Sequence, residues 1–308
     1  MQHELSEPTT SGPLANEDVR DVMPDEQGEL TSTDGRHRLC VQTWSVDQPR
    51  AVLGLVHGLS DHGRRYGELA ARLKQSRIQT TTIDLRGHGR SSGQRGHAAS
   101  WRDLQDDLLT LVTLCRTRSP QAPLFLLGHS MGATLVLSTA LDRPAELAAA
   151  RVDSLIALSP LLLPAHNPPA WKIQLGKFLN SCWPTFSFLT QIDVRNLSHD
   201  EAQVEKFRND PLRHGRVSAR LALEMFSTGV RILASDEPLP CDCLLMAGSD
   251  DRVTSTAATD QWVHRRSDPR VQWRVWHGQY HELCHESIRG DVYETIERWI
   301  SSRAGGQH

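Results

Sequence analysis

Residues 124–133 read Leu124-Phe125-Leu126-Leu127-Gly128-His129-Ser130-Met131-Gly132-Ala133. The four leading apolar residues have the character of a buried strand, and the run from Ala133 to Ala140, ATLVLSTA, continues as a helix. Between them a serine stands in the pattern Gly-x-Ser-x-Gly at a strand-to-helix turn. Only minimal side chains fit a turn this tight at Gly128 and Gly132, so the serine is held out above the sheet as a nucleophile. His129 is not its base, because neighbours on such a turn point apart.

Working outward, short apolar runs alternate with helix-length segments. The spacing predicts strands at Arg38–Trp44, Ala51–Val56, Ile78–Ile83, Leu124–Leu127, Ser154–Leu158, Cys243–Ala247 and Val271–Trp276. Helices are expected near Tyr66–Gln75, Leu104–Arg116, Met131–Asp142, Thr254–Arg265 and Glu286–Ser301. Continuous apolar strands joined by helices imply right-handed crossovers in a mostly parallel, doubly wound α/β sheet. The rhythm breaks between Leu158 and Cys243, a stretch far beyond an ordinary loop. It opens with Pro160, Pro164, Pro168 and Pro169, then runs through AWKIQLGKFLNSC and two further helical patterns, Asp200–Arg208 and Ser218–Leu233. This is the signature of an inserted helical cap. The expected division is a disordered acidic tail at 1–30, a core at 31–160 and 237–303, and a cap at 161–236. No internal repeat is present.

A serine hydroxyl needs a base to take its proton and an acid to orient that base. In a parallel sheet both come from loops beyond later strands, in the order Ser, acid, His. After Cys243–Ala247 comes Gly248-Ser249-Asp250-Asp251, with two candidate acids. After Val271–Trp276 comes His277-Gly278-Gln279-Tyr280-His281, where His281 follows a loop and precedes the last helix. His277 abuts the strand and His285 falls a turn later, so His281 has the better address. An oxyanion site needs two backbone N–H groups. Met131 follows the serine, and Leu59 follows His57-Gly58 at the exit of an early strand. His281-Glu282-Leu283-Cys284-His285 also matches H-E-x-x-H, a zinc signature, but that chemistry needs both histidines inside a helix and a third ligand downstream. His281 instead sits just past Gly278 at a strand exit, and no metal or organic cofactor is expected.

The charge balance, 34 basic against 37 acidic residues, is uneven along the chain. Residues 1–30 hold eight acids and one base, leaving 33 bases and 29 acids elsewhere. So even a surface lacks the footprint of a nucleic-acid binder. The first residues show no basic or apolar signal segment, and no apolar run reaches the ~18 residues of a membrane span. That predicts a cytoplasmic chain, and six cysteines there are expected to be reduced thiols.

Several segments in order carry a family resemblance: HGLSDHGRRY (57–66), DLRGHGRSSGQRG (84–96), LFLLGHSMGA (124–133), LSPLL (158–162), NDPL (209–212), GSDDRV (248–253) and YHELCHE (280–286). The chain resembles the monoglyceride lipase and lysophospholipase branch of the α/β-hydrolases from about residue 37 to 303. The resemblance implies an α/β-hydrolase fold, Ser130 as nucleophile, Asp251 rather than Asp250 as acid, His281 as base, and Leu59 and Met131 as oxyanion donors. It also implies that Asp84 and Arg86 are scaffold. The implied activity is carboxylic-ester hydrolysis of monoacylglycerol-like lipids through an acyl-enzyme, with a lysophospholipase or broader carboxylesterase as the alternative. A non-catalytic binding protein would need none of the three triad residues. Trp171, Phe178, Leu179, Trp183, Phe186 and Phe188 of the cap are expected to line an acyl pocket or to touch a membrane surface transiently.

Overall fold

The computed structural model describes residues 22–166, 168–190 and 192–305. From the amino-terminal side run β1 (Glu26–Thr31), β2 (Arg38–Trp44), β3 (Ala51–Val56), α1 (Gly67–Gln75), β4 (Ile78–Ile83), α2 (Trp101–Arg118), β5 (Leu124–His129), α3 (Met131–Asp142), α4 (Pro144–Ala149) and β6 (Val152–Leu158). Then come α5 (Ala170–Cys182), β7 (Ser187–Leu189), α6 (Glu201–Asn209), β8 (Arg216–Ser218) and α7 (Ala219–Ala234). The chain finishes with β9 (Asp242–Gly248), α8 (Thr256–Arg266), β10 (Val271–Trp276) and α9 (Arg289–Ala304). Eight strands form one sheet in the order β1-β2-β4-β3-β5-β6-β9-β10, while β7 and β8 make a separate two-stranded ribbon. Pairing is parallel from β4 through β10 and antiparallel at β1–β2 and β2–β4.

Every residue of β3, β4 and β5 is buried, as central strands covered by helices on both faces must be, even though β4 carries Gln79 and three threonines between its two isoleucines. On one face Leu104, Leu108 and Leu111 of α2 pack with Leu135 and Val136 of α3; on the other, Leu69 and Leu73 of α1 meet Val292, Ile296 and Ile300 of α9. Helix α2 opens with a capping box, Ser100 accepting from the Asp103 amide and Asp103 from the Ser100 amide. Helix α9 has no such side-chain cap. Burial of its apolar stripe, at about 1.5–3 kcal/mol per large side chain, outweighs the ~1 kcal/mol of a missing cap.

The expected strands and helices are present with ends moved by a few residues. The amino-terminal reading needs correction. Residues 1–21 of the expected tail lie outside the described residues, but 22–30 are ordered into the fold, with β1 on the sheet edge. The acids of this segment mimic a tail because they face outward to surface partners: Asp25, just before β1, pairs with Lys74, Glu26 with Arg118 and Glu29 with Arg38. A charged outer strand is also how a sheet edge avoids further pairing.

The segment between β6 and β9 is the helical insertion. Helix α7 buries Leu221, Met225 and Ile232 in the core cluster and packs on α3. Helix α5 lies outside it, packs on α7 and has no buried residue. Cys40, Cys115, Cys243 and Cys284 are buried free thiols, Cys241 is partly buried and Cys182 exposed. Among the described residues no helix is long and apolar enough to cross a membrane.

The loop after β4 is held by Arg86, whose guanidinium donates to both carboxylate oxygens of Asp107 at 2.8 and 2.7 Å in a pair almost closed to solvent. This agrees with a scaffold role. Arg86→Met strands the Asp107 carboxylate and is expected to cost about 3–5 kcal/mol of unfolding free energy, measured by urea titration; a change below 1 kcal/mol would contradict that role.

Candidate active site

Strand β5 ends at the centre of the sheet and delivers Ser130 onto the first turn of α3. Ser130 has φ 55° and ψ −117°, a conformation foreign to L-residues, and its amide donates to the Leu158 carbonyl at 2.9 Å. The two glycines are required by space. A Cβ on Gly132 would run into the carbonyl oxygens of Val56 and His57, and one on Gly128 into the Gly132 carbonyl. The loop after β3 presses on the same turn, since a Cβ on Gly58 would lie 3.1 Å from Cβ of Ser130. Leu59 is the next residue of that loop, and Met131 is the first residue of α3. The positive end of the α3 dipole points to the same place.

Asp251 and His281 arrive from the loops after β9 and β10, adjacent parallel strands. His281 Nδ1–H donates to Asp251 Oδ2 at 2.8 Å, with both side chains almost completely buried. The other Asp251 oxygen accepts from the Val253 amide at 2.7 Å and the Thr254 amide at 2.9 Å, and Thr254 Oγ1 donates to Oδ2 at 2.6 Å. Burial opposes ionisation of Asp251, but His281 and these donors hold its carboxyl below the usual range. Burial likewise disfavours the His281 cation, yet the Asp251 charge and hydrogen bond, with Glu282 and Asp61, move the net direction upward. With Nδ1 committed to the carboxylate, Nε2 carries the lone pair, the tautomer a general base requires.

The rivals separate cleanly. Asp250 is exposed and accepts from Ser249. His277 is exposed. His285 is buried, with its ring nitrogens against Glu282 at 2.7 Å and the Arg65 carbonyl at 3.1 Å. The H-E-x-x-H segment is not a helix interior either: only Leu283–His285 form a short 3-10 turn, and α9 starts at Arg289.

Residues not singled out in the sequence hold the histidine loop. The His281 carbonyl accepts from Ser159 Oγ at 2.8 Å and from His129 Nε2 at 3.3 Å. Glu286, fully buried, accepts from the amides of Tyr280 and His199 at 2.9 Å each, and His199 stacks on Tyr280 at 3.7 Å. The insertion is thereby fastened to the loop carrying His281. The available signal was that Glu286 closes the YHELCHE segment; its burial shows only in the structure.

The expected cap residues divide. Leu179, Phe186 and Phe188 are partly buried, and the rings of Trp183, Phe186 and Phe188 meet edge to face at 5.2 Å in succession. Trp171, Phe178 and Trp183 are 63, 65 and 58% exposed, so they do not line an enclosed pocket. For Trp171 and Phe178 the reason is that α5 packs on α7 and leaves its other stripe to solvent; Trp183 follows the end of that helix.

A strained serine on a strand-to-helix turn, a helix amino terminus behind it and a buried Asp–His pair beyond later strands define an α/β-hydrolase. The profile of the serine aminopeptidase S33 family matches residues 47–288, and the chain belongs to that family. It is 29% identical over 280 residues to the monoglyceride lipase of Rattus norvegicus, covering 89% of this chain and 90% of that protein. It is also 29% identical over 273 residues to an uncharacterized abhydrolase domain-containing protein of Dictyostelium discoideum, of which it spans only 28%, against 88% of its own length. The crystal structure of the Paleococcus ferrophilus monoacylglycerol lipase superimposes with a TM-score of 0.77 at 26% identity, over 86% of this chain and 99% of that one.

Gly132→Ala forces the α3 turn away from the end of β3. It is expected to lower stability by about 3 kcal/mol and esterase turnover at least about tenfold, read by thermal melts and initial rates. Wild-type stability and rate would show that the turn has slack.

Proposed function

We propose that this chain is a serine carboxylic-ester hydrolase that cleaves monoacylglycerol-like lipids into fatty acid and glycerol. The observation that carries the proposal is the buried Asp251–His281 hydrogen bond, from the loops beyond β9 and β10, in a chain whose Ser130 stands on a strained strand-to-helix turn. In this reading Ser130 Oγ attacks the ester carbonyl as His281 Nε2 accepts its proton. Asp251 stays ionised and stabilises the imidazolium. The tetrahedral oxyanion is met by the amides of Leu59 and Met131, and the alcohol leaves with the proton from His281. Water then attacks the acyl-Ser130 ester by the same route, releasing the acid and restoring the hydroxyl.

The substrate class is supported by the named relative and the apolar insertion. The family's name describes peptide cleavage, so a peptide anilide belongs in the assay set beside 1-monoacylglycerol, lysophosphatidylcholine and p-nitrophenyl esters. Hydrolysis of monoacylglycerol with the highest kcat/KM is expected; preference for the anilide or the lysophospholipid would replace the proposal. The exposed Trp171, Phe178 and Trp183 are proposed to rest transiently on the lipid surface from which substrate is drawn. The sheet with its covering helices is proposed as the catalytic core and 161–236 as the cap, with the core's start moved toward residue 22.

A fluorophosphonate probe is expected to label Ser130 one-to-one, and Ser130→Ala to lose labelling and about 10⁶-fold in kcat. Asp251→Asn should cost about 10⁴-fold, while Asp250→Asn stays within about twofold; the reverse ranking would exchange the two acids. Replacing Trp171, Phe178 and Trp183 together by serine is expected to abolish co-sedimentation with phosphatidylcholine vesicles while hydrolysis of p-nitrophenyl butyrate continues. Unchanged sedimentation would remove the surface-contact part.

A further inference from the structure

The segment His281-Glu282-Leu283-Cys284-His285 is unusual in sequence, and acyl transfer accounts only for its first residue. Glu282 follows His281 in the chain and is 5% exposed. Its Oε2 accepts from His285 Nδ1 at 2.7 Å and stands 3.5 Å from Arg65 Nη1. The same Arg65 nitrogen donates to Asp61 Oδ1 at 3.0 Å, and the hydroxyl of Tyr66 donates to Asp61 Oδ2 at 3.2 Å. The guanidinium is covered by the Phe207 ring of α6 at 4.4 Å. Donor atoms of Asp61, Glu282 and His129 all lie within 4.8 Å of one another. The ring of His129 is in turn 4.9 Å from the ring of His281, and His129 Nε2 donates to the His281 carbonyl.

Two carboxylates this deep would be costly without compensation. Arg65 supplies it by pairing with both carboxylates. Burial opposes ionisation of Glu282, but Arg65, His129 and His285 hold it well below the usual carboxylate range. Burial pushes His129 down to about 4, so it is a neutral spacer near pH 7.

We infer that Glu282 and Asp61 are positioning residues for His281: anchored by Arg65, they fasten its loop to the segment before α1 and place negative charge where the imidazolium forms during acyl transfer. The inference rests on His281 being the base. The charged and titratable groups around that imidazole are Asp251 from the β9 loop, His129 from the serine turn, Asp61, Arg65 and Tyr66 from the β3 loop, and Glu282 and His285 from its own loop. Among these, Asp251 orients Nδ1, whereas Glu282 and Asp61 act on the imidazole through their charge. Their negative charge favours the protonated form, so removing one lets His281 deprotonate at lower pH.

The sign gives the test. Hydrolysis needs neutral His281, so kcat/KM falls as pH drops through the imidazole's titration. In wild type that acid limb is expected above the ordinary histidine value of about 6.5. Glu282→Gln and Asp61→Asn are each expected to move the limb down by about half a pH unit or more, with at least about a tenfold loss of plateau kcat. Glu282→Asp, which keeps the charge, should leave the limb in place. A loop that matters only for packing would lower the rate without moving the limb. The profiles are measured with p-nitrophenyl butyrate on the full chain, with melting curves for each variant. A wild-type limb below 6.5, or folded variants whose limb does not move, overturns the inference. A wild type that neither hydrolyses esters nor takes the fluorophosphonate probe overturns instead the assignment of His281 as base.

Discussion

The backbone turn at Ser130 is the constraint around which the molecule is arranged. A non-glycine residue held at φ 55° and ψ −117° costs about 1–3 kcal/mol and persists only where its surroundings over-determine it. Here they do. The Leu158 carbonyl takes the Ser130 amide, Gly132 lets α3 sit against the end of β3, and Gly58 lets the next loop close on the serine. Those contacts need β3 and β6 as immediate neighbours of β5, which is the order observed. Strand order and the strained residue therefore support each other. A chemical group is presented at the sheet centre because the sheet will not let it relax.

Around that turn the structure buries charge in paired form. Arg86 with Asp107 shapes the loop after β4, Asp251 with His281 spans two strand ends, and Arg65 gathers Asp61 and Glu282. Buried pairs of this kind are poor sources of net stability, because desolvation consumes most of the attraction. Their worth is geometric. Each joins segments far apart in the chain, and loss of one partner leaves a charge without water. In the loop from Tyr280 to Glu286, Glu282 faces the segment before α1 and Glu286 faces residues 198 and 199 of the insertion. The histidine loop is thus tied to the core on one side and to the insertion on the other.

The insertion has a divided character. Helix α7 is core in all but connectivity, with Leu221, Met225 and Ile232 buried, whereas α5 keeps two aromatic residues, Trp171 and Phe178, more than half exposed. A periodic apolar pattern reports that a helix has an apolar face, and it is silent on whether protein covers that face. The acidic amino-terminal stretch misleads in the opposite sense. Its polar composition resembles a tail, yet β1 needs only backbone pairing and partners for its carboxylates, both supplied by residues elsewhere.

The amino-acid sequence by itself determined the alternation of strands and helices, the glycine-flanked serine and the address of His281. These depend on local sterics and on apolar runs, which are written in neighbouring residues. The strand order left Asp250 and Asp251 open and only the family resemblance favoured Asp251; that Asp251 is the carboxylate that meets the Val253 and Thr254 amides and the His281 ring is visible only in the tertiary structure. The tertiary structure alone joined Glu282 to Asp61 and Arg65, more than two hundred positions apart, and turned the stripe of α5 outward. Both outcomes follow from which surfaces the folded chain brings into contact, a property that no local window of residues contains.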